Sequence, residues 1–456
     1  MSAMSTFFRN LLDTDTVRGL QANMEPLASE RNDYTTLLQM TAQARFALLG
    51  EASHGTHEFY QHRADITRRL ITEQGVTAVA VEGDWPDAWR VNRYVRGLPG
   101  DADAALSGFK RFPAWMWRNT VVLEFIEWLR AYNQTQMPAR QVGFYGLDLY
   151  SLFSSMHAVL DYLEEADPQA AKRAHLRYSC FDLAEADSQA YGYKAYFGLH
   201  PGCEDQVAQQ LREMNLLAAA YAGEPGPACD EVFCVQQNAR VVRNAEEYYR
   251  VMLRGRVSSW NLRDSHMAQT LRALDHHLTL AGGSPPRFAV WAHNSHLGDA
   301  SATEMAFRGE WNLGQLLRER YPGQTMLLGF STHQGHVTAA SNWDEAPEDK
   351  RVVAGLPGSW EDVLHQAADQ AGQTSFLLPL KNHAELRKLT QAERLQRAIG
   401  VIYRPETERQ SHYFFTLLAD QFDALVHIDT TRALKPLDKG WVDAGEEVPE
   451  TYPSGI

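Results

Sequence analysis

Acidic and histidine side chains follow four short apolar runs of the sequence, and their types suit acid–base chemistry. These side chains are Glu51, His54, Glu82, Asp148, His293 and His296. A carboxylate beside an imidazole orients the ring and favours its protonated form, so the ring can take a proton from water. We expect Glu51, His54, Glu82 and His293 to be catalytic, and Asp148 and His296 to contact the substrate.

Arg63 and two tryptophans complete the set of candidate site residues. Arg63 lies nine residues after His54, on a predicted helix. If its guanidinium faces inward, it can hold a carboxylate; the alternative is a solvated arginine. Trp115 and Trp117 lie in RFPAWMWRN (111–119) and could line an apolar cleft that binds substrate. Packing in the core is the alternative for both.

Two histidine pairs leave a metal site open as an alternative. His54-x-x-His57 and His293-x-x-His296 have helical spacing, and with Glu51 and Glu82 they could bind zinc or a similar metal. We prefer a site without metal or other cofactor, because a carboxylate-flanked imidazole can activate water by itself. The sequence has no G-x-S-x-G elbow, which disfavours a serine hydrolase of the usual α/β type.

Eight apolar runs predict the strands that position these residues. They are 45–50, 76–81, 141–147, 287–292, 325–330, 375–380, 398–403 and 423–428. Continuous apolar runs are typical of strands that are covered on both faces, and helical patterns lie between them. We therefore predict a three-layer α/β/α fold with a mostly parallel sheet. In such folds the carboxyl ends of the strands form one rim, where ligands bind.

The stretch 151–284 interrupts the strand–helix alternation. It is mostly helical in pattern and rich in Ala, Glu, Gln and Arg. We predict that 1–150 and 285–456 form the two parts of an α/β core, and that 151–284 is a helical insertion flanking the active-site cleft. The alternative is that these helices simply cover the same domain.

The amino-acid composition argues against two classes of binding partner. The 456 residues include 43 Lys and Arg against 57 Asp and Glu, for a net charge of −14. This balance argues against binding nucleic acid or an anionic membrane surface. No apolar run approaches the ~18 residues of a membrane helix. The four cysteines have irregular spacing, which predicts reduced thiols in a cytoplasmic protein.

Several motifs together resemble the erythromycin esterase family. In chain order they are GEASHGTHEF, Arg63, VEGDWP, RFPAWMWRN, FYGLDLYS and WAHNSHLGD. The resemblance implies a three-layer core, a helical insertion beside a deep cleft, and hydrolysis of a macrolide lactone by histidine-activated water. By motif, His54 matches the general base, and Glu51, Arg63, Glu82 and His293 match cleft residues.

These observations lead to one main hypothesis and two alternatives. The main hypothesis is a hydrolase that opens an ester or lactone in a bulky, partly apolar small molecule without a covalent intermediate. The first alternative is a metal-dependent hydrolase that uses the same Glu and His side chains. The second is a non-catalytic binding protein for a hydrophobic ligand.

Overall fold

A mixed sheet carries the candidate site in the computed structural model, which describes residues 14–27, 33–184, 187–221, 226–381 and 383–438. The strands are β1 (Glu25–Pro26), β2 (Phe46–Leu49), β3 (Ala78–Asp84), β4 (Gly143–Asp148), β5 (Phe288–Trp291), β6 (Thr325–Ala339), β7 (Glu348–Val352), β8 (Ser375–Pro379), β9 (Arg394–Arg397), β10 (Tyr413–Thr416) and β11 (Ala424–Thr431). The ends of the predicted core, 1–13 and 439–456, lie outside the described residues.

The strand order explains how the candidate residues meet. The order in the main sheet is β1-β8-β11-β6-β2-β5-β3-β4, with β7 paired to β6, while β9 and β10 form a separate pair. The strands from β11 to β4 run parallel, and β8, β1 and β7 pair antiparallel to their neighbours. The neighbours β2, β5, β3 and β4 therefore present their carboxyl ends at one rim.

Both faces of the sheet are buried, as the continuous apolar runs predicted. Ala47 and Leu49 of β2 belong to the apolar cluster on one face, and Phe46 and Leu48 belong to the cluster on the other. Successive side chains of a strand point to opposite faces, so this alternation places helices on each side. The predicted α/β fold with a mostly parallel sheet is confirmed.

Helices account for the rest of the regular structure. They are α1 (14–23), α2 (Thr35–Thr41), α3 (His57–Gln74), α4 (Trp85–Val95), α5 (Ala102–Leu106), α6 (Thr120–Gln134), α7 (Leu152–Ala166), α8 (Pro168–Tyr178), α9 (Ser188–Tyr196), α10 (Glu204–Tyr221), α11 (Pro227–Val251), α12 (Arg256–Gly282), α13 (Asn294–Leu297), α14 (Leu313–Arg320), α15 (Trp360–Ala371), α16 (Ala384–Leu389), α17 (Glu408–Ser411) and α18 (Leu418–Gln421). No helix among the described residues is long and apolar enough to cross a membrane.

Seven of the eight predicted strands are confirmed, and one is wrong. The run 398–403 forms no strand: Ile399 and Ile402 make only isolated bridges, to Ser53 and Ala340. Its apolar side chains are buried nonetheless, as in Val401. Apolar content alone could not distinguish this buried loop from a strand.

The helices α7 to α12 occupy the stretch predicted as an insertion. Many of their apolar side chains form a cluster separate from the two that cover the sheet. The prediction of four reduced cysteines is wrong for this region, because Cys180 and Cys203 form a disulfide with a Cα–Cα distance of 5.8 Å. Cys229 and Cys234 are free. The helices bring together two cysteines that are 23 residues apart, which spacing alone did not reveal.

Candidate active site

Glu51, His54 and Arg63 form a compact buried unit, which we call the local unit. Glu51 Oε1 lies 3.0 Å from His54 Nδ1, and Glu51 Oε2 accepts a hydrogen bond of 2.7 Å from Arg63 Nη2. Each of the three side chains is at most 1% exposed. Arg63 also lies over the rings of Tyr60 and Trp291. The carboxylate thus bridges the imidazole and the guanidinium.

The turn after β2 requires glycine at both ends of the motif. A Cβ added at Gly50 would collide with the side chain of Asn294, which bonds the backbone of Phe330 at 2.7 Å. A Cβ added at Gly55 would collide with the carbonyl oxygen of Thr338. Glycine therefore allows β5 and β6 to approach the turn that carries Glu51 and His54.

Glu82 holds the backbone that carries His293. The register of β3 against β4 shifts between Val81 and Asp84, and such an irregularity re-aims the side chains at the strand end. Glu82 Oε2 accepts a 2.8 Å hydrogen bond from the His293 backbone N–H. Burial acts to raise the pKa of Glu82, but the nearby charges of His296 and Arg263 outweigh it and lower that pKa well below its usual range.

The tautomer of His293 follows from its neighbours. Its Nδ1 accepts a 3.2 Å hydrogen bond from the Ser295 backbone N–H, and the Ser295 hydroxyl lies 2.8 Å from the same atom. In a neutral imidazole the proton then resides on Nε2. Burial, reinforced by the nearby His54, lowers the pKa of His293 well below its ordinary value. His293 is therefore a neutral ring with an Nε2–H donor.

The rings of His54 and His293 lie side by side, and one Nε2 can accept a hydrogen bond while the other can donate one. Their ring centroids lie 4.8 Å apart, and the Nε2 atoms of both are buried with no hydrogen-bond partner among the described residues. Because Nδ1 of His54 lies against the Glu51 carboxylate, its proton resides there and its Nε2 is an acceptor. The pair thus presents one base and one donor, as hydrolysis of a carbonyl compound requires.

Arg263 and Asp264 of α12 complete the site, and the sequence reasoning missed both. Arg263 Nη2 donates to Glu82 Oε1 at 2.7 Å and to Asp148 Oδ2 at 2.6 Å. Asp264 lies 3.0 Å from Nδ1 of His296. We call Glu82, Asp148, Arg263, Asp264 and His296 the bridged network, because it joins the strand ends to α12. No pattern in the sequence singled them out, because the buried face of α12 also contains Ser259, Asn261 and His266.

The side chains of Asp148 and His296 already contact other side chains of this chain. Arg263 contacts both carboxylate oxygens of Asp148. In His296, Nδ1 faces Asp264, and Nε2 lies 3.0 Å from Arg263 and 3.4 Å from Glu82. These contacts favour a positioning function for both residues, and their predicted contact with substrate stays a prediction.

Trp115 and Trp117 lie in the apolar cluster that covers one face of the sheet. They are 4% and 1% exposed. Trp115 packs against Phe112, and Trp117 packs against Phe109. Both tryptophans therefore pack in the core, which the sequence analysis gave as the alternative to lining a cleft.

The predicted metal ligands do not all converge. His57 begins α3, where its backbone N–H bonds the carbonyl oxygen of Arg432. Within the described part of the chain, no three or more His, Cys, Asp or Glu side chains group in a way that could hold a metal ion.

Sequence comparison links this chain to esterases. The erythromycin esterase family model matches residues 71–431, which include Glu82, Asp148 and His293 but not the local unit. Erythromycin esterase type II of Escherichia coli is 23% identical over 326 residues, covering 68% of this chain and 74% of that protein.

Solved structures share the fold at low sequence identity. A succinoglycan biosynthesis protein has a TM-score of 0.71 at 22% identity, covering 93% of this chain and 98% of that one. A Bacillus cereus protein has a TM-score of 0.70 at 19% identity, covering 93% and 99%. A mutant of the erythromycin esterase EreC, in its open conformation, has a TM-score of 0.61 at 18% identity, covering 92% and 98%. Because the family model matches well over half of the chain, this protein belongs to the erythromycin esterase family.

Proposed function

We propose that this protein is a hydrolase that opens an ester or lactone with a water molecule activated by His54. The observation that carries the proposal is the pair of facing, buried imidazoles whose Nε2 atoms have no partner among the described residues. One Nε2 is an acceptor and the other a donor. A water molecule at Nε2 of His54 and a carbonyl oxygen at Nε2 of His293 would satisfy both atoms.

The proposed reaction needs no covalent intermediate with the enzyme. Water attacks the carbonyl carbon while its proton passes to His54 Nε2, which leaves a tetrahedral oxyanion. The Nε2–H of His293 donates a hydrogen bond to that oxyanion. The intermediate collapses as the C–O bond breaks, and the imidazolium of His54 returns the proton to the leaving alkoxide. The products are a carboxylic acid and an alcohol.

The remaining side chains support the two rings. The carboxylate of Glu51 fixes the Nδ1–H tautomer of His54 and stabilises its imidazolium, while Arg63 holds that carboxylate in place. Glu82 anchors the backbone of His293. Arg63 also has Nε and Nη1 buried without hydrogen-bond partners among the described residues, so it can hold a polar group of the substrate.

We infer a macrolide or similar bulky lactone as the substrate class. Family membership supports this inference, as does the name of the Escherichia coli relative, erythromycin esterase type II. At 23% identity that relative does not determine which lactone this chain accepts. The test should therefore use a substrate panel.

Mass spectrometry of a macrolide panel that includes erythromycin tests this proposal. Wild-type protein should add one water to at least one compound, and His54→Ala should do so at least about 10²-fold more slowly. His57→Ala is the matched control, because His57 lies outside the site, and it should react like wild type. Hydrolysis by His54→Ala at the wild-type rate would contradict the mechanism. If no macrolide reacts, a second panel of simpler lactones and esters separates a wrong substrate class from a wrong reaction.

Elemental analysis of protein purified without a His tag tests the metal-dependent alternative. A stoichiometric metal that is lost in His54→Ala would replace the proposed mechanism with that alternative.

A further inference from the structure

We propose that a cavity at the amino-terminal ends of the central strands is a second ligand site, for a small organic anion with an apolar body. The cavity has a volume of about 820 Å³. Such a volume lies in the range of sites for drug-sized molecules. The inference is independent of the proposed hydrolysis.

The cavity lies at the opposite end of the strands from the candidate active site. Arg45, which directly precedes β2, lines it, and so do Arg320 and Tyr321, which precede β6. Glu51 lies beyond the other end of β2. The helices α10, α11 and α12 form the remaining walls. A ligand here would therefore not occupy the space between His54 and His293.

The charges of the cavity wall favour an anion, although the whole chain carries a net charge of −14. The wall contains Arg45, Arg240, Arg272 and Arg320 but only one carboxylate, Asp275, which pairs with Arg45. Within the described residues the other three arginines make no ion pair. An excess of positive charge in a partly enclosed space attracts and holds an anionic group.

The excess of positive charge is clearest at Arg240. Its side chain is half-buried on α11, and burial together with the positive charge of Arg272 lowers its pKa to about 10. A buried cation is ordinarily paired, because removing its hydration costs free energy. A bound carboxylate, sulfonate or phosphate would replace that hydration and relieve the repulsion between Arg240 and Arg272.

Apolar side chains line part of the remaining wall of the cavity, beside the polar Asn215 and Gln236. Val232 and Phe233 of α11 face it together with Leu280 of α12. The Phe233 ring stacks on His277 with centroids 4.0 Å apart and an interplanar angle of 5°. The apolar side chains of this wall suit an aromatic or aliphatic body attached to the anionic group.

A neighbouring cavity provides an internal comparison. Its volume is about 950 Å³, and it is also lined by arginines. There, Arg96 pairs with Asp230 at 2.8 Å, and Arg93 lies 3.8 Å from Glu231, while Arg140 and Arg287 have no carboxylate partner among the described residues. That wall therefore leaves two arginines without a carboxylate, whereas the smaller cavity leaves three, Arg240, Arg272 and Arg320. The anion site is therefore assigned to the smaller cavity.

Fluorescence titration with two matched dyes tests the proposal. The anionic dye is 8-anilinonaphthalene-1-sulfonate, and the neutral dye is N-phenyl-1-naphthylamine, which has the same rings without the sulfonate. We expect the anionic dye to bind at least about tenfold more tightly than the neutral one. The double variant Arg240→Gln, Arg272→Gln should remove that preference. Arg351→Gln, at an exposed position on β7, is the matched control and should retain it.

A second variant locates the bound dye. Ala219 lines the cavity from an exposed position on α10, so the fold should accommodate Ala219→Trp, whose indole would fill the space. This variant should abolish binding of the anionic dye, and His54→Ala should leave it unchanged. Circular dichroism and the thermal midpoint confirm that each variant is folded. Equal binding of both dyes, or anion binding that survives Ala219→Trp in folded protein, would overturn the proposal.

Discussion

The two halves of the candidate site are built in different ways. The local unit lies within one turn and the helix that follows it, so Glu51, His54 and Arg63 meet through short-range geometry. The bridged network draws Glu82, Asp148 and His296 from three strand ends and Arg263 from α12. We propose that the local unit mainly serves chemistry, while the bridged network also joins α12 to the strand ends. Substitutions in the local unit should therefore mainly lower kcat, whereas those in the bridged network should mainly lower the free energy of unfolding.

The largest expected effect is loss of activity in the local unit. His54→Ala should lower kcat by about 10²–10⁴-fold, because it removes the proposed general base. The free energy of unfolding should fall much less than for the Arg263 variant described next, because His54 is not part of an ion pair that joins α12 to the strand ends. Turnover of the best substrate from the panel, together with urea denaturation, measures both. A strongly destabilised His54→Ala protein would contradict the distinction between the two halves.

Substitutions in the bridged network should mainly lower the free energy of unfolding. Arg263→Met leaves the carboxylates of Glu82 and Asp148 buried without their cation, which should lower the free energy of unfolding by about 3–5 kcal/mol. Arg272→Met on the same helix is the matched control, because Arg272 is exposed and makes no ion pair with the described residues. That variant should lose less than about 1 kcal/mol. Equal losses in the two variants would contradict a stabilising function of the network.

Acid should weaken the region around the bridged network. Burial lowers the pKa of His266 to about 4 and that of His293 well below its ordinary value. Below the pKa of about 6.5 in the unfolded chain, the unfolded state therefore takes up protons that the folded state does not. Stability should fall from pH 7 to pH 5 by about 2 kcal/mol for each such histidine. Urea denaturation at both pH values measures the loss, and His266→Gln should reduce it.

The smallest effect is expected at Ser295, which supports the tautomer of His293. Ser295→Ala removes the hydroxyl beside Nδ1 but keeps the backbone N–H that bonds the same atom. We expect kcat/KM to fall by no more than about tenfold, since a single hydrogen bond contributes about 1 kcal/mol. A loss as large as that of His54→Ala would mean that the hydroxyl itself takes part in the reaction.

The sequence was most informative where structure is local. The apolar runs predicted seven strands because a strand covered on both faces must be apolar throughout. The spacing of Glu51, His54 and Arg63 placed all three near one turn. The prediction of a strand at 398–403 was wrong, because a buried loop has the same apolar composition. The prediction that Cys180 and Cys203 are reduced was wrong, because their pairing depends on how separate helices pack.

Sequence by itself determined the strand segments and the residues that follow them, because both depend on periodicity and composition within a few residues. Only the tertiary structure decided that Arg263 fills the space between Glu82 and Asp148. It also decided that Trp115 and Trp117 lie in the core, and that His54 faces His293. These contacts join segments that lie far apart in the chain. Their distances follow from strand order and helix packing, which no local pattern encodes.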